Sequence, residues 1–234
     1  ELVRDQQAQR HPAPAAQNRG AMPSLGTLLA FLGISILITL APGPDNLMVI
    51  GRSLARGQRA GLAFGLGCAA GCVTHIAWAS LGVAALVRAS NGLFLAIKLA
   101  GAAWLLWLGI QALRSGGSLT PAAGGAPRSG LQDFRQGFVA NALNPKVGLF
   151  FLAFLPQFAD PARGLVSLQM LVLGLVFAAQ TILIFGAMAL AAGHLGRLLA
   201  RRPGMGPWLD RLCGLLFIGL AAHLAGDSLT PNKH

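Results

Sequence analysis

The sequence predicts an all-α integral membrane protein with six transmembrane helices. They form two inverted three-helix repeats, and helices 1 and 4 are broken in mid-span. Three observations lead there. Charge-free apolar runs, 60–87 and 164–196 among them, exceed the roughly 20 residues a helix needs to cross a bilayer. Two of the apolar segments are interrupted by helix-breaking residues, Pro42-Gly43-Pro44 and Asn144-Pro145. The second half of the chain echoes the first. Composition agrees: of 234 residues 54% are hydrophobic and 11% charged, with mean hydropathy +0.62. A soluble domain carries about 25% charged residues.

Residues 1–21 are polar, rich in Pro and Ala, and lack periodicity, so they are expected to be a disordered or non-native N-terminal extension. They do not follow the order of a signal peptide. Met22-Pro23-Ser24, directly before the first apolar run, is the expected natural start. The first span is 24–50, broken at Pro42-Pro44. The second is 60–87 and the third 92–113, closing a first repeat at 22–113. Residues 114–133 include SGGSLTPAAGGAPRSG, a Gly/Ser/Pro/Ala stretch expected to be a flexible linker. The second repeat, 134–228, holds spans at 134–158 (broken at Asn144-Pro145), 164–193 and 208–226. A short tail, 229–234, follows. Within the spans, Gly57, Gly61 and Gly65, and then Gly67 and Gly71, recur every fourth residue, the spacing of close-packed membrane helices.

One constant offset places Pro42 on Pro145, Gly61-Leu62 on Gly164-Leu165 and Gly71 on Gly174. With an insertion near 201–206, Lys98-Leu99-Ala100-Gly101 falls on Arg211-Leu212-Cys213-Gly214. Three spans per unit is an odd number, so the two units have opposite orientations. Inverted repeats with one discontinuous helix each point to a secondary transporter whose site lies between the repeats. Basic residues set the orientation. Arg52, Arg56, Arg59, Arg114, Arg128, Arg135, Arg197, Arg201, Arg202 and Arg211 follow the odd spans, against Arg88 and Arg163 after spans two and four. The odd loops are therefore expected in the cytoplasm and both termini outside.

The net charge of +11 belongs to these loops; no aromatic-interleaved basic tract suggests nucleic acid. Cys68, Cys72 and Cys213 have neither redox-pair nor zinc spacing. No nucleotide loop, protease motif or nucleophile–base set is present, so no enzyme chemistry and no cofactor are expected. Asp45 remains, an acid beside a helix break. Intramembrane ionisable groups are costly and mark function; the alternative is a cap on the turn that follows. Lys146 follows the second break, and a snorkelling role is its alternative. If the breaks meet, Asp45 and Lys146 share a polar cavity with Asn46, Asn144 and His75. Freed N–H groups at the half-helix starts there favour an anion. Acid, base and helix ends suit a zwitterion. Asn141 and Gln180 add neutral hydrogen-bonding groups, and His75 is either a packing residue or a proton relay.

Thr39-Leu40-Ala41-Pro42-Gly43-Pro44-Asp45-Asn46 resembles the first signature of the LysE/RhtB amino-acid exporters, the threonine, homoserine and leucine efflux type. The run from Asn144-Pro145-Lys146 to Leu155-Pro156-Gln157-Phe158 resembles their second. The likeness runs from Met22 to about Gly226. Ala41 and Asp45 stand where many members have Thr or Ser and Asn. The resemblance implies a multi-pass protein of the bacterial inner membrane that exports amino acids or their derivatives by proton antiport. Its expected partners are the amino acid, protons and the lipid bilayer, with no nucleic acid; a homodimer stays open. The alternative is a cation or metal exporter of related architecture. It would want several carboxylates or thiolates converging, so no metal site is expected.

Overall fold

A computed structural model describes residues 22–41, 43–83, 91–114, 128–201 and 205–229. The expectations for 1–21, for Pro42, for most of the linker and for 230–234 lie outside the described residues. The described residues are overwhelmingly helical.

Helix α1 (Leu25–Leu40) starts at Ser24, whose side chain accepts from the Thr27 amide. It is apolar all round, as a membrane helix is. Helix α2 (Pro44–Arg56) follows at a bend of 59°. Pro44 opens it, where a missing N–H costs nothing. It runs past Ile50 to Arg56 and buries Asp45, Asn46, Arg52 and Ser53 along one side. Gly57, at φ 88, makes the turn into α3 (Gln58–Ala77), which continues as a π-helical turn, Trp78–Val83. Helix α4 is Asn91–Arg114. Helix α5 (Gly130–Ala142) and α6 (Pro145–Leu149) meet at the second break, and α6 runs on through π and 3₁₀ turns to Phe158, a bend of 47°. Helix α7 is Val166–Arg201 and α8 is Met205–Leu229. Gln58–Gly82 and Val166–His194 are each long and apolar enough to cross a membrane, and the two bent pairs are so when each is taken as one span.

Helix α3 is packed on three sides through glycine. A Cβ on Gly67 would lie 2.0 Å from the Phe134 carbonyl oxygen of α5, and one on Gly137 of α5 would lie 2.0 Å from that of Phe64. The two backbones touch, which only a missing side chain permits. Gly61 faces Ser53 of α2, and Gly65 faces Phe185 of α7. Gly57, expected in this packing series, meets nothing and serves the turn instead. Helices α4 and α8 meet at Gly109 and Gly214, where a Cβ on either would lie 2.8 Å from the other's carbonyl oxygen. Phe150, Phe151 and Phe177 form the aromatic core, with centroids 5.0 to 5.9 Å apart. Large apolar side chains such as Val73, Leu183 and Leu215 point outward, which suits a lipid surroundings.

One boundary moves. Ser129 accepts from the Gln132 amide, and Gln132 returns a bond to the Ser129 amide, a capping box that starts α5 at Gly130. Asp133, expected at the end of the linker, therefore lies in a helix and is 1% exposed. Its carboxylate pairs with Arg52 and Arg56 of α2, and Arg52 also donates to Gln136. Asp45 is thus not alone as a buried acid.

Candidate functional site

The site is built where the two breaks meet. Pro42 and Pro44 have no N–H, so the carbonyls of Ile38 and Leu40, one turn earlier, lose their helical donors. The chain also leaves the helix, freeing Thr39 and Ala41. Lys146 Nζ donates to Ile38 O at 3.2 Å and to Ala41 O at 3.0 Å. Asn46 Nδ2 donates to Thr39 O at 2.7 Å. A broken membrane helix persists only where such groups find partners.

The converse holds at the second break. Asn144 caps α6, its Oδ1 accepting from the Lys146 amide at 3.0 Å. Its Nδ2 donates to Asp45 Oδ2 at 2.9 Å, and Asn141 Nδ2 donates to the same oxygen at 2.9 Å. Each break is braced by a charged side chain of the other. The Asp45 carboxylate is held by the amides of the second break, and the Lys146 ammonium by the carbonyls of the first. All four side chains are buried.

The expected residues are brought together, with changes in how they meet. Asp45 and Lys146 form no ion pair; neutral groups of the opposite break hold each, because the orphaned carbonyls compete for the ammonium. The cavity between them is about 10 Å³ and is lined by Thr39, Asp45, Asn46, Asn141, Lys146 and Thr181 with a few apolar residues. That is the room of one water, so a whole amino acid does not fit as the side chains stand. Asn144 and His75 stand behind the wall rather than in it. His75 Nε2 lies 2.8 Å from the Asn141 carbonyl oxygen, and a carbonyl only accepts, so Nε2 carries the proton. His75 thus steadies the segment that presents Asn141 to Asp45. Cys72 Sγ lies 3.5 Å from Asn141 Oδ1 and from the Cys68 carbonyl oxygen. Among the described residues no three His, Cys, Asp or Glu side chains converge as metal ligands.

Thr39 and Thr181 complete the polar wall, and Gln180 stands behind their hydroxyls. Gln180 Nε2 donates to Thr39 Oγ1 at 2.7 Å and to Thr181 Oγ1 at 3.1 Å. Thr181 was not singled out from sequence; a hydroxyl inside an apolar span is commonly absorbed by its own helix, as Thr181 is by the Phe177 carbonyl. A polar Gln180-Thr181 pair in an otherwise apolar run was the available signal.

The family model for LysE type translocators matches residues 36–228. A Vibrio cholerae membrane protein named as uncharacterized is 37% identical over 84% of this chain and 95% of its own length. A leucine efflux protein of an Enterobacter species is 30% identical over 82% of this chain and 91% of its own length. A homoserine/homoserine lactone efflux protein of Salmonella typhimurium is 30% identical over 84% and 94%. No solved structure matches.

Proposed function

The chain belongs to the LysE type translocator family and is a membrane transporter rather than an enzyme; from that membership and the braced breaks we propose that it exports amino acids or amino-acid derivatives from the cytoplasm by proton antiport. The observation that carries the proposal is the reciprocal bracing of Asp45 and Lys146 across the two breaks. An acid and a base are buried side by side in one cavity wall without neutralising each other, which leaves both charges for a zwitterion. The efflux relatives named for leucine and for homoserine support the substrate class.

In this mechanism Asp45 alternates between ionised and protonated forms. Ionised, it attracts the substrate ammonium; a proton arriving from outside replaces that cation and releases the substrate. Lys146 presents its remaining N–H to the carboxylate, aided by the start of α2. The cavity opens to admit substrate and closes around it. We read the architecture as two inverted three-helix repeats in the bacterial inner membrane. The mutual bracing of the breaks supports this reading, because a pseudo-two-fold axis would produce such a relation.

The test uses purified protein in vesicles with radiolabelled L-leucine, L-homoserine and L-threonine. The wild type should drive at least one of them against its gradient when a pH gradient is imposed. Asp45→Asn keeps the side-chain volume; it should reduce that accumulation to the level of empty vesicles while exchange across equal pH continues. Full gradient-driven accumulation by Asp45→Asn would place the proton elsewhere.

A further inference from the structure

Two buried side-chain acceptors at the site have no hydrogen-bond partner among the described residues: Asn46 Oδ1 and Gln180 Oε1. Their neighbours settle which end of each amide is which. The Thr39 carbonyl can only accept, so the Asn46 nitrogen faces it and the oxygen is left over. The Thr181 hydroxyl gives its proton to the Phe177 carbonyl at 2.8 Å, so towards Gln180 it can only accept. Gln180 Nε2 therefore lies at the hydroxyls, and Oε1 is left over. Turning Asn46 round would set its oxygen against the Thr39 carbonyl, and turning Gln180 round would set its oxygen against Thr181 Oγ1.

Both residues are almost fully enclosed, at 4% and 5% exposure. Both are anchored on Thr39, Asn46 through its carbonyl and Gln180 through its hydroxyl. Thr39, Asn46 and Thr181 line the cavity of about 10 Å³, and Gln180 stands directly behind the two threonine hydroxyls. An –NH₃⁺ head group occupies about the room of one water, so this space matches it in size. Acceptors in want of donors, beside a carboxylate, select a cation bearing several N–H groups.

We propose that Gln180, together with Asn46, receives the α-ammonium of the substrate and makes a primary amine a requirement for transport. The proposal rests on the amino-acid export reading above and names the half of the zwitterion that these residues recognise. Asp45 supplies charge without direction; the two amide oxygens supply direction.

The experiment measures kcat/KM in vesicles for L-leucine, N-methyl-L-leucine and N,N-dimethyl-L-leucine. The corresponding series of L-homoserine or L-threonine replaces it if the wild type moves that amino acid instead. Each methyl removes one N–H and keeps the amine basic. The wild type should prefer the primary amine over the dimethyl form by about ten- to a hundredfold, the worth of one or two hydrogen bonds to a charged group. Gln180→Met, similar in volume but without the oxygen, should shrink that preference to within about threefold. Gln180→Glu, which keeps an acceptor there, should retain it. A purely structural role would lower transport of all three compounds in proportion and leave the preference unchanged in Gln180→Met, which overturns the proposal. Equal transport of primary and dimethyl forms by the wild type overturns it without any variant. In both cases export itself stands. If the wild type moves no amino acid, the export reading fails and this inference with it.

Discussion

A Cβ built on Gly43 lies 2.9 Å from Lys146 Nζ, with the next atom of that side chain at 3.5 Å. Gly43 is extended, at φ −167, so alanine can adopt its backbone without strain. Gly43→Ala should therefore fold normally and act only by pushing the flexible end of Lys146 off the Ile38 and Ala41 carbonyls. Losing one or two hydrogen bonds from a charged donor is worth about 1.5–3 kcal/mol each. We expect transport to fall about tenfold or more with a near-normal amount of protein in the membrane, checked by flux per molecule in vesicles. Unchanged flux would show that Lys146 has slack at this position. The residue scale is also where sequence reasoning reached least far. That Asp45, Lys146 and Asn46 belong to a site was legible, because charges and amides beside proline breaks are costly in lipid. The partners of each were not. Lys146 and Ala41 are 105 positions apart, and no local pattern reports that a lysine will serve orphaned carbonyls instead of the nearby acid.

Helices α2 and α5 are joined by the Arg52, Arg56 and Asp133 cluster. Asp133 is 1% exposed and Arg52 8%, so removing the acid leaves an arginine enclosed without its counter-charge. Breaking such a pair from one side costs about 3–5 kcal/mol. Asp133→Ala should lower the thermal unfolding midpoint in detergent by several degrees, and Arg52→Met made on the same background should recover part of it. A midpoint that does not move would mean the cluster is hydrated in solution. This cluster is hard to see in the sequence because the Gly, Ser and Pro content of the linker runs up to Gly130 and Asp133 follows it closely. The Ser129 and Gln132 spacing of a capping box was the signal that marked the helix start. Other elements were legible for plain reasons. The broken helices are visible as prolines inside apolar runs, and α3 and α7 as uninterrupted apolar segments. The π turn at Trp78–Val83 has no such mark, since its residues suit an α-helix as well.

At the scale of the whole molecule, orientation follows from where the basic residues fall. From the basic residues that follow the odd spans we propose that α2, the start of α5 and the end of α7 face the cytoplasm. A reporter active only in the periplasm, fused after Gly226, should be active; inserted within 115–126, it should be silent. The reverse pattern would invert every direction in the mechanism, including which side supplies the proton. The close glycine crossing of α3 with α5 holds these two helices together as a unit.

The cross-bracing also has a direction in time. The chain is made from its N-terminus, and Ala41 precedes by 105 positions the lysine that will satisfy its carbonyl. At about 5–20 residues per second, roughly 5–20 seconds pass between their syntheses. Throughout that interval the first break has polar backbone but not its donor, and bare backbone groups are not tolerated in the hydrocarbon core. The nascent first half must wait at a wet place, the insertion machinery or the membrane surface, until Lys146 emerges. The first half is thus completed only by the second.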